Sequence, residues 1–146
     1  MLPEEYSLLK EEYFHLQKAV EDFDQRGLTI KAWSVTASLA GIAASFHRDG
    51  STLLCLLAAA ASFSFWLIEA LWKSFQQCFY PRLLAIENAF LNTDRSEKPL
   101  QISTQWKKAF RDRTLRRFFT VFFWPHVMLP HVLIVIGGVL IWVCRR

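Results

Sequence analysis

Two histidines and one acid–base couple are the side chains in this sequence best placed to do chemistry. His126 and His131 lie in the segment WPHVMLPH, each directly after a proline. In a regular helix, side chains five residues apart point about 140° away from each other. A metal pair needs a spacing of three or four, so shared ligation is disfavoured. Lining a water-filled path, or bonding backbone groups that the prolines free, suits them better. Lys31 and Glu69 form the second couple. Each is the single Asp, Glu, Lys or Arg in an apolar run, Thr29 to Phe46 and Thr52 to Trp72. If the two runs are antiparallel neighbours, the charges lie at one depth and can pair, which lowers the cost of holding either away from water.

Other chemistry is not signalled. There is no nucleophile elbow, phosphate-binding loop, HExxH, CxxC or dinucleotide fingerprint. No catalytic residues, metal or cofactor are therefore expected, and the chain reads as a non-enzyme. Cys55, Cys78 and Cys144 are too far apart for a metal motif, and Cys55 and Cys144 lie in apolar runs, where a small hydrophobe suffices. The densest charge signal is basic: Lys107, Lys108, Arg111, Arg113, Arg116 and Arg117, against the single acid Asp112. Such a segment flanks a membrane span on its cytoplasmic side or touches anionic lipid headgroups. Nucleotide phosphate is a weaker alternative and nucleic acid is disfavoured, because no aromatic platform accompanies the charges.

The elements that must position these groups follow from hydropathy. The chain of 146 residues is 53% hydrophobic and 15% aromatic, high for a soluble protein of this size. About 20 apolar residues cross a bilayer core, and only helices satisfy their own backbone there. Residues 28–72 therefore read as a transmembrane helical hairpin turned at His47 to Ser51. Trp33, Trp66 and Trp72 stand near one interface of it. Residues 118–146 read as a third transmembrane or re-entrant helix, about 39 Å long if straight from Phe118 to Val143 and bent at Pro125 and Pro130. Its Gly137 and Gly138 offer close packing. The fold expected is an all-α membrane protein: the hairpin, a third, proline-bent span, and cytoplasmic helices.

Two segments complete it. Residues 1–27 carry an apolar stripe, Tyr6, Leu9, Tyr13, Leu16, Val20 and Phe23, at alternating steps of three and four. The stripe needs a cover: another helix of the chain, a second copy or a partner protein. Gly27 predicts a bend before the first span. Residues 73–117 continue the second helix past a Pro81 kink, through a polar loop at 92–99, into a basic helix capped by Ser103. The positive charges of this segment outnumber the lone Arg48 at the hairpin turn, which places it and the N-terminus in the cytoplasm. Met1 to Gln25 lacks the apolar core of a cleavable signal peptide. The short loops suit a bacterial inner membrane crossed several times.

Small residues line both hairpin helices. Ala37, Gly41 and Ser45 form small-xxx-small steps. Ser34, Ser38, Ser45 and Ser62, with His126 and His131, are the polar candidates to line a pore, which needs several copies because one copy has too few helices to enclose a path. The entry of the charged first helix through FDQRGLTIKAWSVTASLAGIAA into a tight hairpin, with the spacing Arg26, Lys31, Trp33, resembles the SLATT class of small bacterial membrane effectors. The resemblance covers about Tyr6 to Phe90. It implies a homo-oligomeric pore that permeabilises the membrane in antiviral defence in response to a nucleotide signal. The third run and the lack of a ligand-sensing domain depart from that class, so a signal would arrive through a partner or at the basic helix. The expected function is an oligomeric pore-forming or channel-like effector. The alternative is a non-conducting adaptor that recruits a cytoplasmic partner.

Overall fold

A computed structural model describes residues 3–48, 50–91 and 97–145, and all regular structure among them is helical. Helix α1 runs from Pro3 to Ser45, 43 residues without interruption. Gly27 does not interrupt the helix. Glycine in a helix costs only about 1 kcal/mol, and tertiary ties hold the backbone on both sides of it. Before it, Phe23 stacks on Trp72 and Asp24 pairs with Lys73; after it, Lys31 meets Glu69.

A tight turn at Phe46–Ser51 reverses the chain. A Cβ on Gly50 would fall 2.8 Å from the Ser45 carbonyl oxygen, so only glycine lets the turn close. The Ser51 hydroxyl accepts the Leu53 N–H at the start of α2, Leu53–Gln76. Helix α2 then packs along α1, with Gly41 against Ala58: a Cβ added there would meet the Ala58 Cβ at 3.3 Å. After a turn at residues 77–79, α3 covers Tyr80–Leu91. Pro81 sits in its first turn, where no N–H is needed, so the proline starts a helix instead of kinking one.

The stripe on α1 is covered within the chain. Leu9, Leu16 and Val20 form one core with Leu83 and Ile86 of α3, flanked by Phe79 and Ile102. The basic segment is two helices, α4 (Ile102–Arg111) and α5 (Leu115–Phe122), separated at Asp112–Thr114. Gln101, not Ser103, is the N-cap of α4. The expected loop at 92–99 lies outside the described residues over 92–96; Glu97 to Leu100 are not helical.

The third apolar run is not one bent helix. It breaks into α5, the short α6 (Pro125–Met128) and α7 (His131–Cys144). A proline disfavours helical backbone at the residue before it, and Trp124 and Leu129 are both extended, with ψ 133° and 138°. Helix α7 packs along α2 on the side away from α3 and α4, close enough that a Cβ on Gly138 would fall 2.8 Å from the Cys55 carbonyl oxygen. At the hairpin tip, Arg145 donates to the Ser45 carbonyl at 3.0 Å and lies over the Phe46 ring. At the other end, Trp66 stacks on Phe122 and donates to its carbonyl at 2.9 Å, fixing α5 to α2.

Among the described residues, Leu53–Leu91 is the one stretch long and apolar enough to cross a membrane, and His131–Cys144 is a shorter apolar helix. The first run fails that measure because serines, alanines and Lys31 dilute its hydropathy, and the third because its prolines shorten it. Polarity is nonetheless inverted across α1, α2 and α7. Ser34, Ser38, Ser45, Ser62, Glu69 and His131 are buried, whereas Trp33, Leu39, Leu57, Ile68, Leu133 and Leu140 are exposed.

Candidate functional site

Where α7 begins, five polar side chains from three helices meet in the interior. Lys31 Nζ of α1 donates to Glu69 Oε1 of α2. The second oxygen, Glu69 Oε2, lies 3.0 Å from His131 Nε2. On the far side of the ring, His131 Nδ1 is 2.9 Å from Ser34 Oγ. Ser34 Oγ is 3.4 Å from Ser62 Oγ, which in turn reaches the His131 carbonyl at 3.4 Å. His131, Ser34 and Ser62 are fully buried and Glu69 nearly so.

Each helix supplies its part for a local reason. Lys31 and Ser34, three apart, share one face of α1, and Ser38 continues that face. Ser62 and Glu69, seven apart, share the facing side of α2. His131 is the first residue of α7, placed there by the break at Leu129 and Pro130. A neutral ring bonded on both sides has two consistent arrangements. With Glu69 ionised, Nε2–H donates to it and Nδ1 accepts the Ser34 hydroxyl. With Glu69 protonated, the carboxyl donates to Nε2, and Nδ1–H donates to Ser34. The two arrangements differ by one proton, so the cluster can take up or release a proton without losing a hydrogen bond.

One side of the cluster is open. A pocket of about 260 Å³ reaches Lys31 and Glu69 and is walled by Asp24, Trp72, Lys73 and His126. Lys73 Nζ contacts Asp24 Oδ1 at 2.7 Å. Burial pushes the Asp24 carboxyl up, but hydrogen bonds and charge from Lys73, with a bond from Gln76, outweigh it and hold the group below its ordinary value. His126 is exposed on this rim and stands apart from His131, so the two histidines do not share a position. Arg26 lies over the Trp72 ring.

The remaining candidates are dispersed. Ser38 is buried, and its hydroxyl has no hydrogen-bond partner. Ser45 bonds the Ile42 carbonyl and accepts from Cys55 Sγ at 3.0 Å near the hairpin tip. No serine of the four lies on the outside of the chain. Of the basic residues, Lys107, Lys108, Arg111, Arg116 and Arg117 are exposed on α4 and α5, and Arg113 folds back over the rings of Phe110 and Phe75. Burial pushes the Cys78 thiol up despite Arg113 and Arg117 nearby, which keeps it protonated. No group of three His, Cys, Asp or Glu that could hold a metal occurs among the described residues.

A second ionic cluster escaped the sequence reading. Arg82 of α3, fully buried, donates from Nε and Nη2 to the two oxygens of Glu12 at 2.8 and 3.0 Å. It also reaches Glu97 at 2.7 Å and the Lys98 carbonyl at 2.7 Å. Glu12 Oε2 further accepts the N–H of Leu100, which adopts left-handed backbone with φ 63°. Burial pulls the Arg82 guanidinium down, and the two carboxylates more than offset it, so the charge is held firmly. The signal in the sequence was Glu12 itself, three residues after Leu9 and four before Leu16, beside the apolar stripe.

Comparison with known protein families, curated proteins and solved structures returns no match to this chain.

Proposed function

We propose that this protein is an integral membrane protein of several crossings that assembles into an oligomeric, channel-like pore. The inverted polarity of α1, α2 and α7 carries the reading. Large apolar side chains face outward and hydroxyls, a carboxylate and an imidazole face inward, an arrangement that water penalises and lipid favours. Two or three crossing helices per copy enclose no wide path, so conduction requires several copies. Ala37, Ala40 and Ala44 form an exposed small-residue ridge on α1, which supports close packing of copies in lipid.

Exposed cations on α4 and α5, beside the exposed Leu115, Phe119 and Phe123, suit the anionic cytoplasmic leaflet. In this reading the N-terminus is cytoplasmic and α7 is a short third element that reaches toward the far side with Arg145. The layout shared with SLATT effectors supports a role in bacterial antiviral defence at the inner membrane, with a nucleotide signal or a partner protein as trigger. The adaptor alternative draws less support, because its docking face, the α1 stripe, is covered by α3.

High-level expression is expected to collapse the membrane potential and admit a normally excluded dye, with the detergent-corrected mass of the purified protein equal to four or more copies. An unchanged potential with the chain recovered in the membrane fraction overturns the pore, and recovery in the soluble fraction overturns the membrane assignment.

A further inference from the structure

We infer that each protomer carries its own proton path, which loads at Glu69 from the pocket between α1, α2 and α6 and runs through His131 to Ser34. The inference rests on the membrane reading above but not on assembly, because all of its groups belong to one chain.

Four observations carry it. The pocket is lined in part by Glu69, so a proton from outside the helices has a route to the carboxylate there. The carboxylate, the ring and the hydroxyl are spaced at 3.0 and 2.9 Å, within hydrogen-bond reach throughout. The ring is bonded through both nitrogens, so it can accept on one side and donate on the other. One turn further along α1, the buried Ser38 hydroxyl has no hydrogen-bond partner, although buried polar groups are nearly always bonded. That hydroxyl is the next polar group beyond Ser34 on this face of α1, out of hydrogen-bond reach of Ser34, where the continuous line ends.

The transfer balances within the chain. Protonated Glu69 gives its proton to His131 Nε2. The ring releases its Nδ1 proton to Ser34 Oγ, and Ser34 passes its original hydroxyl proton onward toward Ser38. The transfer leaves Glu69 as the carboxylate and the ring protonated at Nε2; return of the ring proton to Nδ1 and uptake of a new proton by Glu69 from the pocket reset the line. Every charged or titratable group facing the loading site takes part in its field: Asp24 and Lys31 from α1, Glu69 and Lys73 from α2, His126 from α6 and His131 from α7. Lys31 donates to the oxygen of Glu69 opposite the one that faces His131.

The line is interrupted after Ser34, and a second gap, between Ser38 and Ser45, spans about 10 Å along α1. There Gly41 packs on Ala58, and Gly138 on Cys55 and Ala59. Beyond the interruption, Ser45, Cys55 and Arg145 resume the polar track at the tip. Passage therefore requires α7 to shift relative to α2 by enough to admit water at this turn.

The test is proton flux into phosphatidylethanolamine–phosphatidylglycerol vesicles holding a trapped pH dye, with potassium leak recorded in parallel. A positioned proton-transfer group contributes about 100-fold or more to transfer, so Glu69→Gln should cut proton flux about that far while any potassium leak persists. His131→Gln should do the same, and Lys18→Gln, exposed on α1 outside the pocket, should leave flux within a few-fold of the parent. Because Glu69→Gln could disturb the fold, the unaltered protein is also measured in D2O, where relay through hydroxyl and imidazole slows flux more than potassium leak. Proton flux that follows potassium leak in every variant and in D2O overturns the relay and leaves the pore intact. Proton flux lost in Glu69→Gln without any potassium leak supports the relay and overturns the pore. Absence of both fluxes from protein verified in the bilayer overturns both.

Discussion

The molecule holds two buried ionic clusters on one helix, and they are built in opposite ways. Around Arg82, four contacts to two carboxylates and a carbonyl leave a cation that never gives up its proton. Around Glu69, the partners are a lysine, a histidine and, through it, a serine, all of which exchange protons. The Arg82 cluster is closed by Leu100 and held by α3, whereas the Glu69 cluster opens into a pocket. A guanidinium fork met by two carboxylates fixes position. A carboxylate shared between an ammonium and an imidazole fixes position less firmly and keeps a choice of protonation. The first is a latch and the second a site.

The strongest way to break this contrast is to remove Arg82. Arg82→Met leaves Glu12 buried beside a thioether, and loss of one partner of a buried pair costs about 3–5 kcal/mol. Thermal unfolding of the helical signal in detergent should show it, and Glu12→Leu added to Arg82→Met should recover most of the loss. A double variant as unstable as the single one would mean that Glu12 does more than neutralise Arg82. Lys31→Met sharpens the comparison from the other side. Glu69 keeps His131, so the expected cost is that of one charged hydrogen bond, about 1.5–3 kcal/mol. A loss equal to that of Arg82→Met would erase the distinction between latch and site.

The smallest effect is expected at the rim. The folded Asp24 carboxyl lies below its ordinary value, so its contribution is present above the unfolded pKa of about 3.9 and disappears as pH falls through the lower folded value. Its side chain is 53% exposed, and screened pairs of this kind contribute about 0.2–1 kcal/mol. The melting temperatures of the parent and Asp24→Asn should therefore converge between pH 5 and 3, about the range of that titration. A gap that stays constant across this range would assign the pair no electrostatic role.

How much of this was legible in the chain depends on how far each contact reaches. The approach of Lys31 to Glu69 follows from a short turn between two apolar runs, because a five-residue break leaves the helices one register. The meeting of His131 with Ser34 and Ser62 does not follow. It requires α7 to start one residue after Pro130 and to lie against α2, and hydropathy alone reads that region as one long helix. Local rules gave way to tertiary contacts at Gly27, where aromatic and ionic ties outweigh the weakness of one glycine. Arg82 illustrates the converse. Read as one more positive charge beside a membrane, it carried no hint of its two carboxylates, since Glu12 is 70 residues away and Glu97 lies across a loop.

The unbroken α1 gives the two clusters a mechanical relationship. Glu12 and Lys31 ride on one stiff rod, about 28 Å apart along its axis at 1.5 Å per residue. A rotation of the rod would carry Lys31, Ser34 and Ser38 with it. The Glu12 end is the handle of a key whose bit is the serine face.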